Sequence, residues 1–251
     1  EFPISLLQNA IKMTTEPPRG IRANMLTTYN LISTTQFQRC TKANQYSKLL
    51  FTLSFFHAIL IERSKFLNLG WNINYAFNNA DFLICEEILV LYLDQYEHVK
   101  WDAIKYLIAE ANYGGRVTDQ MDRLLLNTYI NQLFNENTLL EDKYSLVGND
   151  SHQLQDVYYI PSNCTSLLDY RHFIESLPKA DHDPSSAFGQ NDNADISSQR
   201  QQAYYLLNTL LILQPKQQQQ QQHAESSSSS SLDANNKTDT TTTTTDSNSN
   251  T

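Results

Sequence analysis

The sequence predicts a mainly α-helical fold, organised as a small bundle. Between residues 21 and 143, apolar residues recur every three or four positions in four or five consecutive segments, and this period is typical of amphipathic helices. The connections between these segments are short, and no further convincing strand occurs before Lys143. Short connections place consecutive helices side by side, so we expect the segments to form one bundle.

One strand is predicted ahead of the bundle. Residues 4–13 are rich in aliphatic and β-branched side chains and lack helical caps. Residues 16–20, which include Pro17, Pro18 and Gly20, then stop the strand and turn the chain. Because a lone strand is not stable by itself, we expect its sheet partners to lie upstream, outside this chain.

The most apolar segment, residues 46–66, predicts a helix buried at the centre of the bundle, because apolar residues cover most of its circumference. The apolar positions at helical spacing are Leu49, Leu50, Leu53, Phe55, Phe56, Ile59 and Leu60. His57 is expected to be a hydrogen-bonded core residue, since no second His or Cys lies four residues away to share a metal ion. Glu62 and Arg63 are expected to mark the point where this helix reaches solvent.

Further helices are predicted on both sides of this segment, over residues 21–32, 82–96, 102–113, 119–134, 166–177 and 197–213. Asp81 is the expected N-cap of the helix over 82–96. The apolar faces are expected to contain Ile84, Ile88, Leu91 and Tyr92 in that helix, Met121, Leu124, Leu125, Tyr129 and Leu133 in the helix over 119–134, and Tyr204, Leu207 and Leu211 in the last one. Residues 156–161 are expected to be a short strand or an extended segment.

The string Tyr113-Gly114-Gly115-Arg116-Val117-Thr118-Asp119 is expected to be a joint between two helices. Two adjacent glycines can adopt positive φ angles and let the backbone reverse tightly. Thr118 or Asp119 is the expected N-cap of the following helix. Arg116 carries five donors that can bind a carboxylate or a phosphate, although a solvated arginine at a structural joint is the simpler interpretation. The predicted hinge residues are therefore Gly114, Gly115, Arg116, Thr118 and Asp119.

Composition and missing motifs argue against several function classes. The net charge is −9 with no basic stripe, so we expect no nucleic-acid partner. No signal peptide or membrane-spanning segment is recognised, so we expect no membrane partner. The sequence has no phosphate-binding loop, dinucleotide motif or zinc motif, and predicts no catalytic residue, cofactor or metal site. From residue 214 onward, runs of Gln, Ser and Thr predict a disordered tail.

Several strings occur in an order and at a spacing that resemble one protein family. They are residues 2–8, 16–20, 55–58, 69–73, 75–78, 113–119, 176–178 and 193–196. In this order they resemble the end of the sixth AAA+ module of dynein heavy chains, its helical lid, and the start of the C-terminal domain. The string from Tyr113 to Asp119 is the clearest of them. Residues 2–8, residues 79–82 and this string look axonemal, nearest to outer-arm heavy chains.

The resemblance implies four regions. Residues 1–20 would end the large AAA+ subdomain with the predicted strand, and residues 21–143 would form the AAA+ helical lid. Residues 144–213 would begin an incomplete α+β C-terminal domain, and residues 214–251 would be the disordered tail. The sixth module is structural in this family, so the chain is expected to be a non-catalytic ring segment.

The parent protein implied by the resemblance is an ATP-driven, minus-end-directed microtubule motor of cilia and flagella. ATP and Mg²⁺ would bind in the parent and not in this segment. The expected partners are neighbouring AAA+ modules, dynein intermediate and light chains, and microtubules, in the cytoplasm, the cytoskeleton and the axoneme. Arg116 resembles the lid arginine that senses nucleotide in other AAA+ modules. The alternative is a stand-alone helical interaction module, derived from a dynein lid and without motor activity.

Overall fold

The structure, a computed structural model, describes residues 3–11, 13, 17–148, 152–180 and 183–213. The chain divides into two compact units, residues 1–198 and residues 199–251, and each is described by itself. The predicted disordered tail, residues 214–251, lies outside the described residues.

Helices dominate the described part of the chain, which confirms the mainly α-helical prediction. The α-helices are α1 (Ile4–Asn9), α2 (Ile21–Leu31), α3 (Thr34–Phe37), α4 (Ala43–Glu62), α5 (Asn79–Gln95), α6 (Trp101–Lys105), α7 (Gln120–Leu133), α8 (Asn137–Leu140), α9 (His152–Gln155), α10 (Leu167–Ser176) and α11 (Asp192–Leu213). A 3₁₀ helix (Arg63–Leu69) follows α4 directly, a π-helix (Tyr106–Tyr113) continues α6, and a second 3₁₀ helix covers Ser185–Phe188.

Helix α4 is the centre of the first unit. Helices α2, α5 and α7 pack against it, and all seven of its predicted core positions are at most 2% exposed. Truncating one of these large side chains to alanine is expected to cost about 2–5 kcal/mol, because the surrounding helices cannot close the cavity. Although α4 has 20 residues, neither it nor another helix of the described chain is long and apolar enough to cross a bilayer.

The strand predicted over residues 4–13 is wrong, because the chain forms α1 there. Local hydrogen bonds join the N–H of Leu6 to the carbonyl of Pro3 at 3.1 Å, and the N–H of Ala10 to that of Leu6 at 3.0 Å. A strand needs a neighbouring strand for its backbone polar groups, whereas a helical turn satisfies them within the segment. Ile4 and Leu6 remain 71% and 53% exposed.

The inward face of α5 differs from the predicted one. Ile84 and Leu91 are 50% and 59% exposed, whereas the helix buries Asp81, Phe82, Cys85, Glu86, Leu89 and Leu93. Glu86 is buried because its carboxylate accepts from the hydroxyl of Tyr46 and forms a 2.6 Å ion pair with Arg39. A carboxylate with such partners can be buried, and this turns the helix away from the face that apolar residues alone predict.

The predicted inward face of α7 is wrong in part for the same reason. Met121 and Leu124 are 66% and 57% exposed, whereas the helix buries Asp122, Leu126, Tyr129, Ile130 and Leu133. The carboxylate of Asp122 accepts from the backbone N–H groups of Asn72 and Ile73, at 3.0 and 3.2 Å. These bonds fix an acidic side chain on the buried face, beside Tyr129 and Leu133 as predicted.

The extended segment predicted over residues 156–161 is confirmed in its centre. Tyr159 forms an isolated antiparallel bridge with Ser145, flanked by backbone hydrogen bonds of 2.9 and 3.0 Å. In the described residues the region after α8 therefore has one bridge instead of a sheet, and α10 packs against α2.

The second unit is described through residues 199–213, the C-terminal part of α11. The helix predicted there is confirmed. Its apolar side chains face solvent, since Tyr204, Leu207 and Leu211 are 61%, 57% and 53% exposed.

Candidate functional site

The joint between the π-helix and α7 owes its tightness to close backbone approach. The N–H of Gly114 donates to the carbonyl of Ala109, five residues earlier, at 2.6 Å, which is the bond that defines a π-turn. A Cβ at Gly114 would lie only 2.5 Å from that oxygen and 2.6 Å from the carbonyl oxygen of Glu110. The positive φ angles predicted for the glycines are wrong, since φ of Gly114 is −64° and that of Gly115 is not positive either.

The predicted N-cap of α7 is Asp119 and not Thr118. Its carboxylate accepts from the backbone N–H groups of Met121 at 2.9 Å and Asp122 at 3.0 Å. The same oxygen accepts from the side-chain amide of Asn72 at 3.0 Å. The bond from the N–H of Asp122, followed by those from Asn72 and Met121, lowers the pKa of Asp119. The joint is thereby bonded to Asn72, in the segment that follows the 3₁₀ helix Arg63–Leu69.

Arg116 is bound by a carboxylate of the same chain. Its Nη2 and Nε atoms lie 2.9 and 3.1 Å from Oδ1 of Asp81, whose side chain is 5% exposed. The other oxygen of Asp81 accepts from the backbone N–H of Asn78 at 3.0 Å. Asn78 is the N-cap of α5 and Asp81 is its partner in a capping box, so the prediction of Asp81 as the N-cap is wrong. Arg116 thus connects the joint to the first turn of α5.

His57 is a core residue, as predicted. Its Nδ1 atom lies 2.8 Å from the hydroxyl of Tyr113, the residue that opens the joint, and its Nε2 atom has no hydrogen-bond partner among the described residues. Burial lowers the pKa of His57 to about 4, which outweighs the opposing charge of Asp81. The neutral imidazole therefore holds the start of the joint against α4.

Glu62 and Arg63 do not reach solvent, and this expectation is wrong. They are 8% and 3% exposed. Arg63 donates to the carbonyl of Gly70 at 3.0 Å, to the hydroxyl of Tyr129 at 2.6 Å and to the carbonyl of Phe188. Burial lowers the pKa of Arg63 and raises that of Glu62. Glu62 and Arg63 stand at the end of a helix whose circumference is mostly apolar. This was a usable signal of burial, because the end of such a helix lies inside the protein.

The described residues offer no reactive thiol and no metal cluster. The three cysteines are free, and burial raises the pKa of Cys40 to about 11 and that of Cys85 to about 12. Protonated thiols are poor nucleophiles and poor metal ligands. In the described part of the chain, no group of three His, Cys, Asp or Glu side chains is placed to hold a metal ion.

The joint lies within a segment that has known relatives. Residues 46–194 match the family model for the dynein heavy chain AAA lid domain. The chain belongs to the dynein heavy chain family. It is 54% identical over 199 residues to Dynein axonemal heavy chain 2 of Mus musculus, and 48% identical over 196 residues to the Dynein-1-beta heavy chain, flagellar inner arm I1 complex, of Chlamydomonas reinhardtii. These alignments cover 79% and 78% of this chain, and 4% of each relative.

The resemblance to an axonemal dynein lid region is confirmed by these matches. The outer-arm subtype stays a prediction. The family assignment agrees with the mainly helical fold of the described residues. It leaves open the role of each hinge residue, which the geometry of the joint addresses.

Proposed function

We propose that this chain is a non-catalytic ring segment of an axonemal dynein heavy chain. The observation that carries the proposal is the match of residues 46–194 to the dynein AAA lid domain, together with relatives that are named axonemal. The sequence contains no phosphate-binding loop. In this proposal, ATP and Mg²⁺ bind in other modules of the parent protein, and this segment transmits their movements.

The joint supports a mechanical role as a rigid elbow. Three sets of contacts hold it: the π-turn at Gly114, the ion pair of Arg116 with Asp81, and the bonds of Asp119 to α7 and Asn72. The ion pair binds the joint to the first turn of α5, and the bond from Asn72 binds the start of α7 to the segment after the first 3₁₀ helix, so displacing the joint from these two elements would break both contacts. A fixed angle between helices transmits a rigid-body shift to whatever packs beside them.

The remaining parts of the proposal are the domains, the partners and the location that the parent protein implies. In this proposal, residues 1–20 end the large AAA+ subdomain, residues 21–143 are the lid, residues 144–213 begin the C-terminal domain, and residues 214–251 are a tail rich in Gln, Ser and Thr. The partners are neighbouring AAA+ modules, intermediate and light chains, and microtubules, in a ciliary or flagellar axoneme. The chain spans only 4% to 5% of the length of the curated relatives reported above and of Dynein axonemal heavy chain 3 of Homo sapiens.

Arg116 has two candidate roles, and one experiment separates them. The ion pair supports a structural role, in which Arg116→Ala and Asp81→Asn should slow microtubule gliding of the intact heavy chain to a similar extent. A nucleotide sensor predicts instead that Arg116→Ala alone alters the ATPase rate and its nucleotide dependence. If neither variant changes gliding or ATPase activity, both roles are wrong. Arg19→Ala, outside the joint, is the control for loss of a positive charge.

The alternative, a stand-alone interaction module, makes a different prediction for the isolated chain. Apolar side chains such as Leu124, Leu91 and Leu211 are more than half exposed, which supports burial against further parts of a heavy chain. A ring segment is therefore expected to self-associate through these side chains when it is purified alone at high concentration. A chain that stays monomeric at high concentration, together with a transcript that starts just before Glu1 and encodes no AAA+ module, would favour the alternative.

A further inference from the structure

Residues 183–189, which we call the clasp, contact both the start of α2 and the end of α4. At its start, Oδ2 of Asp183 accepts from the backbone N–H of Ile21 at 2.9 Å, across 162 residues of sequence. Its Oδ1 atom accepts from the hydroxyl of Tyr158 at 2.7 Å. Asp183 is 6% exposed and Ile21 is fully buried. The carboxylate thus satisfies the first free N–H group of α2, where a capping side chain would otherwise be needed.

The backbone at Gly20 is shaped for this contact. Its φ angle is +89°, and a Cβ there would lie 2.6 Å from the Cβ and 2.7 Å from the Cα of Ala180. Only glycine adopts this conformation without strain and leaves room for the segment that leads into the clasp. The point where the chain enters α2 is therefore in direct backbone contact with residues that follow α10.

The other end of the clasp contacts α7 and the 3₁₀ helix that follows α4. The carbonyl of Phe188 accepts from Nη1 of Arg63 and from the hydroxyl of Tyr129, the latter at 2.6 Å. The ring of Phe188 packs against Phe66, with centroids 5.5 Å apart, and under the ammonium group of Lys65 at 4.3 Å. Phe188 is fully buried, so water cannot replace these donors.

Glu62 and Arg63 connect the contacts at the start of α2 with those at the end of the clasp. Glu62 accepts from the side-chain amide of Asn24 at 2.7 Å and from the backbone N–H of Gly20. Arg63, the next residue, reaches Phe188 at the far end of the clasp. These bonds form a closed series of contacts between the start of α2, the end of α4 and the clasp. Displacement at one contact would therefore strain the others.

We propose that the clasp fixes the direction in which the preceding chain enters α2 relative to the position of the segment that follows α10. The two would then move as one body, and a force applied ahead of Gly20 would reach residues 183–189 without a flexible step. This role depends on the contacts alone, so it holds whether or not the parent protein is a motor.

Amide hydrogen exchange of the 251-residue chain tests the clasp. Asp183→Ala removes the acceptor of the Ile21 amide, whose exchange should accelerate on the order of tenfold, because the bond to a charged group is lost. The more informative variant is at Tyr129, which contacts the other end of the clasp. Tyr129→Phe deletes one donor to the carbonyl of Phe188. If the contacts are linked as proposed, exchange at Ile21, which Tyr129 does not contact, rises by about threefold.

Tyr144→Phe is the matched control, because it also removes a hydroxyl bonded to a backbone carbonyl, that of Gln132 at 2.6 Å, but outside the clasp. It should leave exchange at Ile21 unchanged. The proposal is overturned if Asp183→Ala leaves Ile21 exchange at its original rate, or if Tyr129→Phe affects only amides near Phe188. Tyr129→Phe keeps the test decisive even where Asp183→Ala does not fold.

Discussion

Replacing Gly114 by alanine should destabilise this protein, although alanine is normally the better residue at a helical φ. The new Cβ would lie 2.5 Å from the carbonyl oxygen of Ala109 and 2.6 Å from that of Glu110. Both are backbone atoms of the π-helix and cannot rotate away. Restoring an ordinary contact requires the backbone to shift by roughly half an ångström or more, and this shift disrupts a packed helix end.

The magnitude follows from three opposing effects. With φ at −64°, alanine restricts the unfolded chain and would stabilise by about 0.4–1 kcal/mol if it fitted. Overpacking costs about 1–3 kcal/mol, and loss of the 2.6 Å bond from Gly114 to Ala109 adds about 1 kcal/mol. The net destabilisation is therefore about 1–3.6 kcal/mol. A loss of about 2 kcal/mol lowers the Tm of a chain of this size by about 4–8 °C.

Two other glycines provide a graded control. A Cβ at Gly115 would lie 3.1 Å from the carbonyl oxygen of Ala111, and one at Gly148 would lie 3.8 Å from the side-chain amide of Gln132. Urea unfolding followed by far-UV circular dichroism should rank the alanine variants by this clearance, with Gly114→Ala clearly the least stable. If Gly114→Ala is as stable as Gly148→Ala, the close-approach explanation is refuted.

Three further predictions concern the ionisable side chains of the first unit. A double-mutant cycle of Arg116→Ala and Asp81→Asn should give a coupling free energy of about 1 kcal/mol, since Arg116 is 42% exposed; additive effects would contradict the ion pair. His57 takes up a proton near pH 6.5 when unfolded but only near pH 4 when folded, so stability should fall by about 3 kcal/mol as pH drops through this range. His57→Gln should remove that loss and His98→Gln, at an exposed site, should retain it. Arg63→Met should destabilise by about 2 kcal/mol in urea unfolding, because the buried carbonyl of Gly70 loses the Arg63 donor and that of Phe188 loses one of its two donors; a stability equal to the parent would contradict this role of Arg63.

The sequence was sufficient for features that depend on neighbours along the chain. The apolar circumference of α4 predicted its central position, and Asp119 predicted the start of α7, because helix period and capping are local properties. The inward faces of α5 and α7 were partly wrong because Glu86 and Asp122 are buried. Their partners, such as Tyr46 and Asn72, are 40 and 50 residues away, and no local pattern reports on such distant bonds.

The candidate site shows the same division. The joint was recognised from Gly114, Gly115 and Asp119, but the reason for its glycines was not, since a π-turn depends on hydrogen bonds that residue types do not specify. The partner of Arg116 could be narrowed to a carboxylate or phosphate, but Asp81 is 35 residues away. Arg63 was misplaced at the surface because charged residues are rarely buried without a carboxylate partner, and here carbonyls and aromatic rings surround it.

The bond between Ile21 and Asp183 also sets an order of events during synthesis. At about 5–20 residues per second, the 162 residues that separate these two take roughly 8–30 s to translate. Throughout that interval the first turn of α2 lacks the carboxylate that satisfies it, while α4 and α5 can already form around their own neighbours. The N-terminal end of the unit therefore completes its hydrogen bonds last, although it leaves the ribosome first. Ribosome-bound chains that stop short of Asp183 should keep Ile21 open to exchange and to proteases.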